Sequence, residues 1–284
     1  TGVTNTFIGG SAGAANTTAA NNVAVGTNSL GANTTGGTNT ALGTSSLQAN
    51  TTASNNTAVG HGALAANTTG TRNNSLGNSS LVANTTGDNN IALGSQALQS
   101  NTTADDNTAV GYAALNLNTT GASNTAVGKF AGLAVTTGSS NTLVGIGAGD
   151  SITTGGQNIV ICARSSDTSA VDGENQIVIG DNIAGTSNFQ VSIGAASNII
   201  SNSFNSNATW ARSSDLHKKT NIEETNLGLS FINELRPVTF NWRPNSEFPK
   251  HYKDYKENEN DMDTEINLYG MIAQDVEKAL DKVG

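Results

Sequence analysis

The sequence predicts a mainly β fold, a solenoid of short repeated coils with a small α+β module after it. Three observations lead to this prediction. Glycines recur every 17 residues from Gly9 to Gly145. Only 5% of the 284 residues are aromatic, so few side chains are large enough to fill an ordinary globular core. Of the 35 charged residues, 24 lie in 201–284, which indicates a change of domain near residue 200.

Each repeat reads approximately N-T-A-[VL]-G-x-x-A-L-x-x-N-T-T-G-x-x, as in NTAVGHGALAANTTGTR at 56–72. This unit is shorter than the roughly 33 residues that helical solenoids need. The segment NTAVG suits a short strand, and its glycine allows a bend where a Cβ would clash. A β-roll or β-helix with one repeat per coil therefore fits, with coils about 4.8 Å apart.

Two apolar columns follow from the repeat, one formed by the aliphatic residue before each glycine and the other by a leucine four residues after it. The first contains Ile8, Val25, Leu42, Val59, Leu76, Leu93, Val110, Val127, Val144 and Ile161, and the second contains Leu30, Leu47, Leu64, Leu81, Leu98 and Leu115. Such a thin core must offset an ordering cost of about 1–2 kcal/mol per residue. We therefore expect one column to be buried between chains, in a homotrimer.

The tripeptide NTT begins at seven asparagines spaced 17 residues apart, from Asn16 to Asn118. NTT is formally an N-glycosylation sequon. The favoured interpretation is a ladder, in which stacked Asn and Thr side chains hydrogen-bond the backbone of the turns.

The predicted boundaries follow the loss of the repeat and the rise in charge. Residues 1–174 form the solenoid, 175–212 a neck with a 14-residue spacing and an extended connector, and 213–284 the charged module. Within that module we predict a helix over 227–235 that Pro237 ends and a strand over 238–242. A second strand, a glycine turn and a helix from about Ala273 should follow.

Three motifs follow one another in the charged module. They are S-D-x-x-x-K-x-x-I from Ser214, L-x-P-V-x-F-x-W from Leu235, and Y-G-M-I-A-Q-D-V-E from Tyr269. Read alone, SSD is a helix-capping signal. The succession resembles the intramolecular chaperone auto-processing domain of endosialidase-type tailspikes and related phage fibres, which are self-cleaving serine peptidases. The repeats resemble the heads of trimeric autotransporter adhesins and, more closely, NTAxG arrays of phage tail fibres and tailspikes.

This resemblance implies a trimerisation chaperone that cuts itself from a tail fibre, with Ser214 as nucleophile and Lys219 as general base. Ser213 and Asp215 would flank the cleavage site. A lysine accepts a proton only when neutral, so burial should lower the pKa of Lys219. The chain opens TGVTNTFIGG without an initiating Met, so we expect a longer protein with sequence before Thr1. The resemblance implies a module that continues past Gly284.

The composition restricts partners and cofactors. A net charge of −9 disfavours nucleic acid, and no apolar run approaches the roughly 18–20 residues of a membrane span. We predict no cofactor and no metal site, because Asp261, Asp263 and Glu265 lack the glycine of a calcium loop. The expected partners are two further copies of the chain and other tail-fibre or virion proteins, in a virion assembled in the host cytoplasm.

Two alternatives remain. The chain could be an adhesin or receptor-binding head on a bacterial surface that recognises a host glycan, with an inactive chaperone domain. No aromatic platform recurs along the repeat to support this. The chain could instead hydrolyse glycans, but Asp105 and Asp106 are the only adjacent carboxylates in 1–200, so paired acid/base catalysis is disfavoured.

Overall fold

The computed structural model describes several stretches of the chain, which are 2–164, 166–168, 170–204, 231, 234–235, 237–241, 243–247, 268–271 and 273–283. The chain divides into two compact units, Thr1–Ser213 and Ser214–Gly284.

The described residues of the first unit form a single sheet of thirteen strands that follow one another in chain order. They are β1 (Thr6–Ile8), β2 (Val23–Val25), β3 (Thr40–Leu42), β4 (Thr57–Val59), β5 (Asn74–Leu76), β6 (Ile91–Leu93), β7 (Thr108–Val110), β8 (Thr125–Val127), β9 (Thr142–Ile146), β10 (Ile159–Arg164), β11 (Ile177–Asp181), β12 (Gln190–Ala195) and β13 (Asn198–Ser203). We number each coil by the strand it contains.

Strands β1 to β12 pair in parallel, one per coil. The step between paired residues is 17 from β1 to β10, as in Thr6 with Val23, then 18 from Ile159 to Ile177 and 14 from Ile177 to Val191. The result is a β-solenoid of about 11 turns, which confirms the predicted mainly β repeat fold.

The middle residue of each short strand points into the coil. Ala58 is fully buried, while Thr57 and Val59 on either side of it face outwards. The six leucines of the second column are buried as well. The first column does not contribute to the interior of its own chain, since Ile8 is 59% and Leu76 49% exposed. Period-2 alternation explains this, because a strand that turns Ala inwards must turn both of its neighbours outwards.

Glycines stand where the coils approach most closely. A Cβ added at Gly60 would lie 2.5 Å from the carbonyl oxygen of Gly77 in the next coil. The φ of Gly60 is +132°, a backbone conformation that residues with a side chain rarely adopt. The 17-residue glycine period therefore records a steric requirement that every coil repeats.

The buried leucines lie in a backbone conformation that leucine usually avoids. Their φ angles run from +48° at Leu81 to +53° at Leu64. A non-glycine residue held there costs about 1–3 kcal/mol, which burying a leucine offsets at about 1.5–3 kcal/mol. Coils 1, 8 and 9 place glycine at this position, in Gly13, Gly132 and Gly149.

Larger side chains from neighbouring positions fill the space at these three glycines. A Cβ on Gly13 would meet the ring of Phe7, one on Gly132 would meet Leu143, and one on Gly149 would meet Ile152 and Leu143. The interior volume is thus conserved from coil to coil although the residues that supply it change.

The solenoid ends with a change of strand direction. Strand β13 pairs antiparallel with β12, from Gln190 with Ser203 to Ala195 with Asn198. An extended connector was predicted at the end of the neck, 175–212, whereas Asn198–Ser203 within it form the paired strand β13. The hairpin covers the edge of β12, which would otherwise present unpaired backbone groups.

The second unit contains an antiparallel pair of strands, β14 (Pro237–Phe240) and β15 (Leu268–Met271), and helix α1 (Ala273–Val283). The helix predicted from Ala273 is confirmed. The glycine turn predicted before it is wrong, because Gly270 pairs with Val238 inside the strands. Among the described residues no helix is both long and apolar enough to cross a bilayer.

Candidate functional site

The predicted catalytic residues lie outside the described part of the chain. This applies to Ser214 and Lys219 and to their neighbours Ser213 and Asp215, so their roles remain predictions. Asp261, Asp263 and Glu265 also fall outside it. In the stretches that the structure describes, no cluster of three or more His, Cys, Asp or Glu side chains could hold a metal ion.

The asparagines of the NTT tripeptides form the predicted ladder through the interior of the solenoid. Asn67 Nδ2 donates to Asn50 Oδ1 at 3.0 Å and to the carbonyl of Gly70 at 2.9 Å. The first threonine extends the ladder, since Thr68 Oγ1 donates to the carbonyl of Thr85 at 3.0 Å. The second threonine, as at Thr69, is exposed. The tripeptide is thus a structural unit whose asparagine is buried.

A second asparagine ladder was missed by the sequence analysis. The asparagine that opens NTAVG is fully buried in coils 2 to 10. Asn56 forms its hydrogen bonds inside the solenoid. Its backbone N–H donates to Asn39 Oδ1 at 3.0 Å, and its Nδ2 donates to the Gly70 carbonyl at 2.9 Å. The signal was present in the sequence, because this column is Asn in ten successive repeats from Asn5 to Asn158.

The NTT ladder stops between coils 7 and 8. The column changes from Asn118 to Val135, and Asn118 Oδ1 is buried without a hydrogen-bond partner. The neighbouring ladder continues past this point, and Gln176 N still donates to Asn158 Oδ1 at 3.0 Å. In coils 8 and 9 an apolar side chain therefore occupies the interior position that the NTT asparagine fills in the preceding coils.

The outward-pointing aliphatic column forms a continuous apolar surface, which we call the outer sheet face. It consists of Ile8, Val25, Leu42, Val59, Leu76, Leu93, Val110, Val127, Val144 and Ile161. Its members lie in register on paired strands, as Val59 does with Leu76. An extended apolar surface of this kind is typical of a site of protein association.

A carboxylate site lies where coils 9 and 10 change size. Asp167 Oδ2 accepts hydrogen bonds from Ser151 N at 3.1 Å and from Ser151 Oγ at 2.5 Å. Asp167 Oδ1 is buried without a hydrogen-bond partner. The pKa of Asp167 is raised to about 6, mainly by burial and in smaller part by nearby Asp150. At the surface Arg164 Nη2 lies 2.7 Å from Asp181 Oδ2 and lowers the pKa of Asp181 by hydrogen bonding.

The comparison with known families concerns the second unit. Residues 214–284 match the family Peptidase_S74, described as chaperone of endosialidase. This match covers a quarter of the chain and begins at Ser214, where the second compact unit begins. No curated protein and no solved structure matches the chain. The fold and the match together define a β-solenoid repeat protein that carries an intramolecular chaperone domain at 214–284.

Proposed function

We propose that the chain is part of a trimeric phage tail fibre, in which the β-solenoid is the shaft and residues 214–284 assemble three copies and then cut themselves off. The observation that carries the proposal is the match of 214–284 to the chaperone of endosialidase family. The position of that domain after a repetitive β structure supports a role in assembly.

The outer sheet face supports association of several chains. Its side chains are apolar along ten coils, and Ile8, Leu42 and Leu76 are each more than two fifths exposed in a single chain. Burial of these side chains between copies would gain about 25 cal/mol for each Å² of apolar surface. A closed trimer buries the same face of every copy and leaves none of these faces open.

A separate assembly domain addresses a problem that the repeat creates. Successive coils present nearly the same residues, so two chains displaced by one 17-residue step would make similar contacts. Pairing over such long distances is also slow. A domain that first joins three chains at one end fixes their alignment before the shafts pack. Its later release leaves a fibre that unfolds slowly.

Self-cleavage would use Ser214 and Lys219. The hydroxyl of Ser214 attacks a peptide carbonyl while neutral Lys219 takes its proton. Lys219 passes that proton to the nitrogen of the breaking C–N bond, which leaves as an amine, and water then hydrolyses the resulting ester. Because the scissile bond belongs to the same molecule, proximity supplies much of the acceleration. A lysine pKa lowered by burial during assembly would restrict cleavage to the assembled state.

The test is the denaturing mass of the full chain, expressed as wild type and as Ser214→Ala. The wild type should give a fragment of about seventy residues, the length of 214–284, and Ser214→Ala should give only the intact 28.8 kDa chain. Lys219→Ala should behave like Ser214→Ala, because the base is lost.

Ser213→Ala is the matched control and should still be cleaved, since Ser213 is not the proposed nucleophile. A wild-type chain that stays intact after assembly would rule out self-cleavage. It would leave the proposed role in trimer assembly to be judged by the number of chains in the native particle.

A further inference from the structure

Coils 7 and 8 differ from the rest of the solenoid on their outer surface. Tyr112 and Phe130 are the only aromatic residues between Phe7 and Phe189, and Lys129 is the only lysine in 1–200. These three residues occupy the first two positions after the repeat glycine. Small or polar residues occupy the same two positions in coils 2 to 6, in Thr27, Asn28, Thr44, Ser45, His61, Gly62, Asn78, Ser79, Ser95 and Gln96.

The solenoid brings the three side chains together. Phe130 N donates to the carbonyl of Tyr112 at 3.0 Å, which fixes the two coils in register. The two rings lie edge to face, with centroids 5.4 Å apart and an interplanar angle of 67°. Lys129 Nζ lies 4.8 Å from the centre of the Phe130 ring. Tyr112 remains 47% exposed.

Carboxamide groups lie on coils 6 and 7. Asn116 Nδ2 donates to Gln99 Oε1 at 2.9 Å and to the carbonyl of Gln96 at 3.0 Å. Gln96 and Phe130 occupy the same position of coils 6 and 8, and the intervening residue of coil 7 is Ala113, whose side chain is buried. Ala113 of coil 7 therefore lies between the ring of Phe130 in coil 8 and the polar side chain of Gln96 in coil 6.

We propose that Tyr112, Lys129 and Phe130 form a binding site for a pyranose ring of a saccharide. Aromatic faces carry negative charge and attract the weakly positive C–H groups on one face of a sugar. The ammonium of Lys129 can donate hydrogen bonds to hydroxyl groups or to a sugar carboxylate. Binding sites commonly combine such apolar surface with a few polar groups that set orientation.

A second copy of the chain fits this surface less well. In a three-fold contact through these residues, three Lys129 ammonium groups would come together. Among the described residues the structure records no carboxylate paired with Lys129. Like charges brought close without partners oppose association. The outer sheet face carries no lysine, and it is the better surface for assembly.

The test is binding of the full chain to an array of neutral hexoses, N-acetylhexosamines and carboxylate-bearing sugars. Wild type should bind at least one class. The double variant Tyr112→Thr/Phe130→Ser, which installs residues that other coils carry, should reduce binding at least tenfold. His61→Thr is the matched control in coil 4 and should bind like wild type.

Lys129→Thr separates the two kinds of sugar. It should abolish binding of a carboxylate-bearing sugar and only weaken binding of a neutral one. The proposal is wrong if wild type binds nothing on the array, or if the double variant binds as wild type does. It is also wrong if the double variant dissociates into fewer chains by native mass, since the rings would then form an inter-chain contact. Sugar binding by a monomeric chain would support this site and contradict only the proposed trimer.

Discussion

The asparagine of NTT acts through hydrogen bonds on both sides of its own coil. Asn67 donates to Asn50 and accepts from Asn84 Nδ2 at 2.9 Å. Because the side chain is fully buried, water cannot replace these partners. Each buried polar group left without a partner costs about 1–3 kcal/mol.

We expect Asn67→Ala to lower the free energy of unfolding by about 2–4 kcal/mol, because the buried Asn50 Oδ1 loses its donor and the buried Asn84 Nδ2 loses an acceptor. Thermal and denaturant unfolding followed by circular dichroism measure this change. Thr69→Ala in the same tripeptide is the control. It should stay within about 0.5 kcal/mol of wild type, because the Thr69 side chain is exposed. Equal losses in both variants would contradict a ladder carried by the asparagine.

The raised pKa of Asp167 leads to a prediction of how the stability of the folded protein depends on pH. The pKa of Asp167 rises from 3.8 in an unfolded chain to about 6 in the folded one, mainly through burial. Between these values the folded state binds more protons than the unfolded state, so stability falls as pH rises through this range. We expect the unfolding temperature to increase when the pH is lowered from 7 to 5.

Two variants test the assignment to Asp167. Asp167→Asn should remove this part of the pH dependence, because its side chain does not titrate. Ser151→Ala should strengthen it, since the hydrogen bond from Ser151 favours the charged carboxylate. A pH dependence that Asp167→Asn leaves unchanged would assign the effect to another group.

The three-residue strands show how local alternation sorts the apolar residues of a coil. In Ile91–Leu93, Ala92 is buried and both neighbours are exposed. The sequence predicts an apolar segment here, but Ala, Val and Leu are all apolar, so hydropathy cannot show which of them points inwards. The shape of the coil determines the orientation. Its interior is narrow at the strand and accommodates alanine, so the larger residues on either side of the alanine point outwards.

The leucine column was predicted correctly as apolar, yet its backbone was not predictable. Leucine rarely adopts positive φ, and the replacement by glycine in coils 1, 8 and 9 is the one sequence feature that points to it. The 17-residue glycine period, in contrast, could be interpreted from the sequence, because glycine is the residue that fits where two backbones approach each other closely. Ser214 and Lys219 were identified only through the resemblance of their motif to a family.

We expect Leu81→Ala to destabilise the solenoid by about 2–5 kcal/mol, since it removes a fully buried side chain and leaves a cavity. The measurement is equilibrium unfolding in denaturant. Leu117→Ala is the matched control, because Leu117 is exposed and Ala occupies its column in neighbouring coils such as coil 5 (Ala83) and coil 8 (Ala134). If Leu81→Ala and Leu117→Ala were equally stable, this result would contradict the conclusion that the leucine column fills the interior of the solenoid.

At the scale of the whole molecule, the two apolar columns have separate roles. The leucine column fills the interior of the chain, and the side chains of the outer sheet face point away from that interior. The two predicted columns were thus correct as columns. Which of them lies inside the coil could not be read from the repeat, because both recur with the same period of 17 residues.

Leu76→Asp places a charge on the outer sheet face without changing the interior of the coil. We expect this variant to keep the circular dichroism spectrum of a β-solenoid and to lose association, because burial of an unpaired carboxylate between chains is unfavourable. Thr69→Asp, on the exposed turn, is its control and should associate as wild type does. Normal association of Leu76→Asp would exclude this face as the contact.

The number of chains in the native particle tests the central claim most directly. Native mass measurement of Ser214→Ala, which keeps the chaperone domain attached, should give three copies of the 28.8 kDa chain. A folded particle with the mass of a single chain would contradict the proposal that residues 214–284 assemble the solenoid into a trimeric fibre.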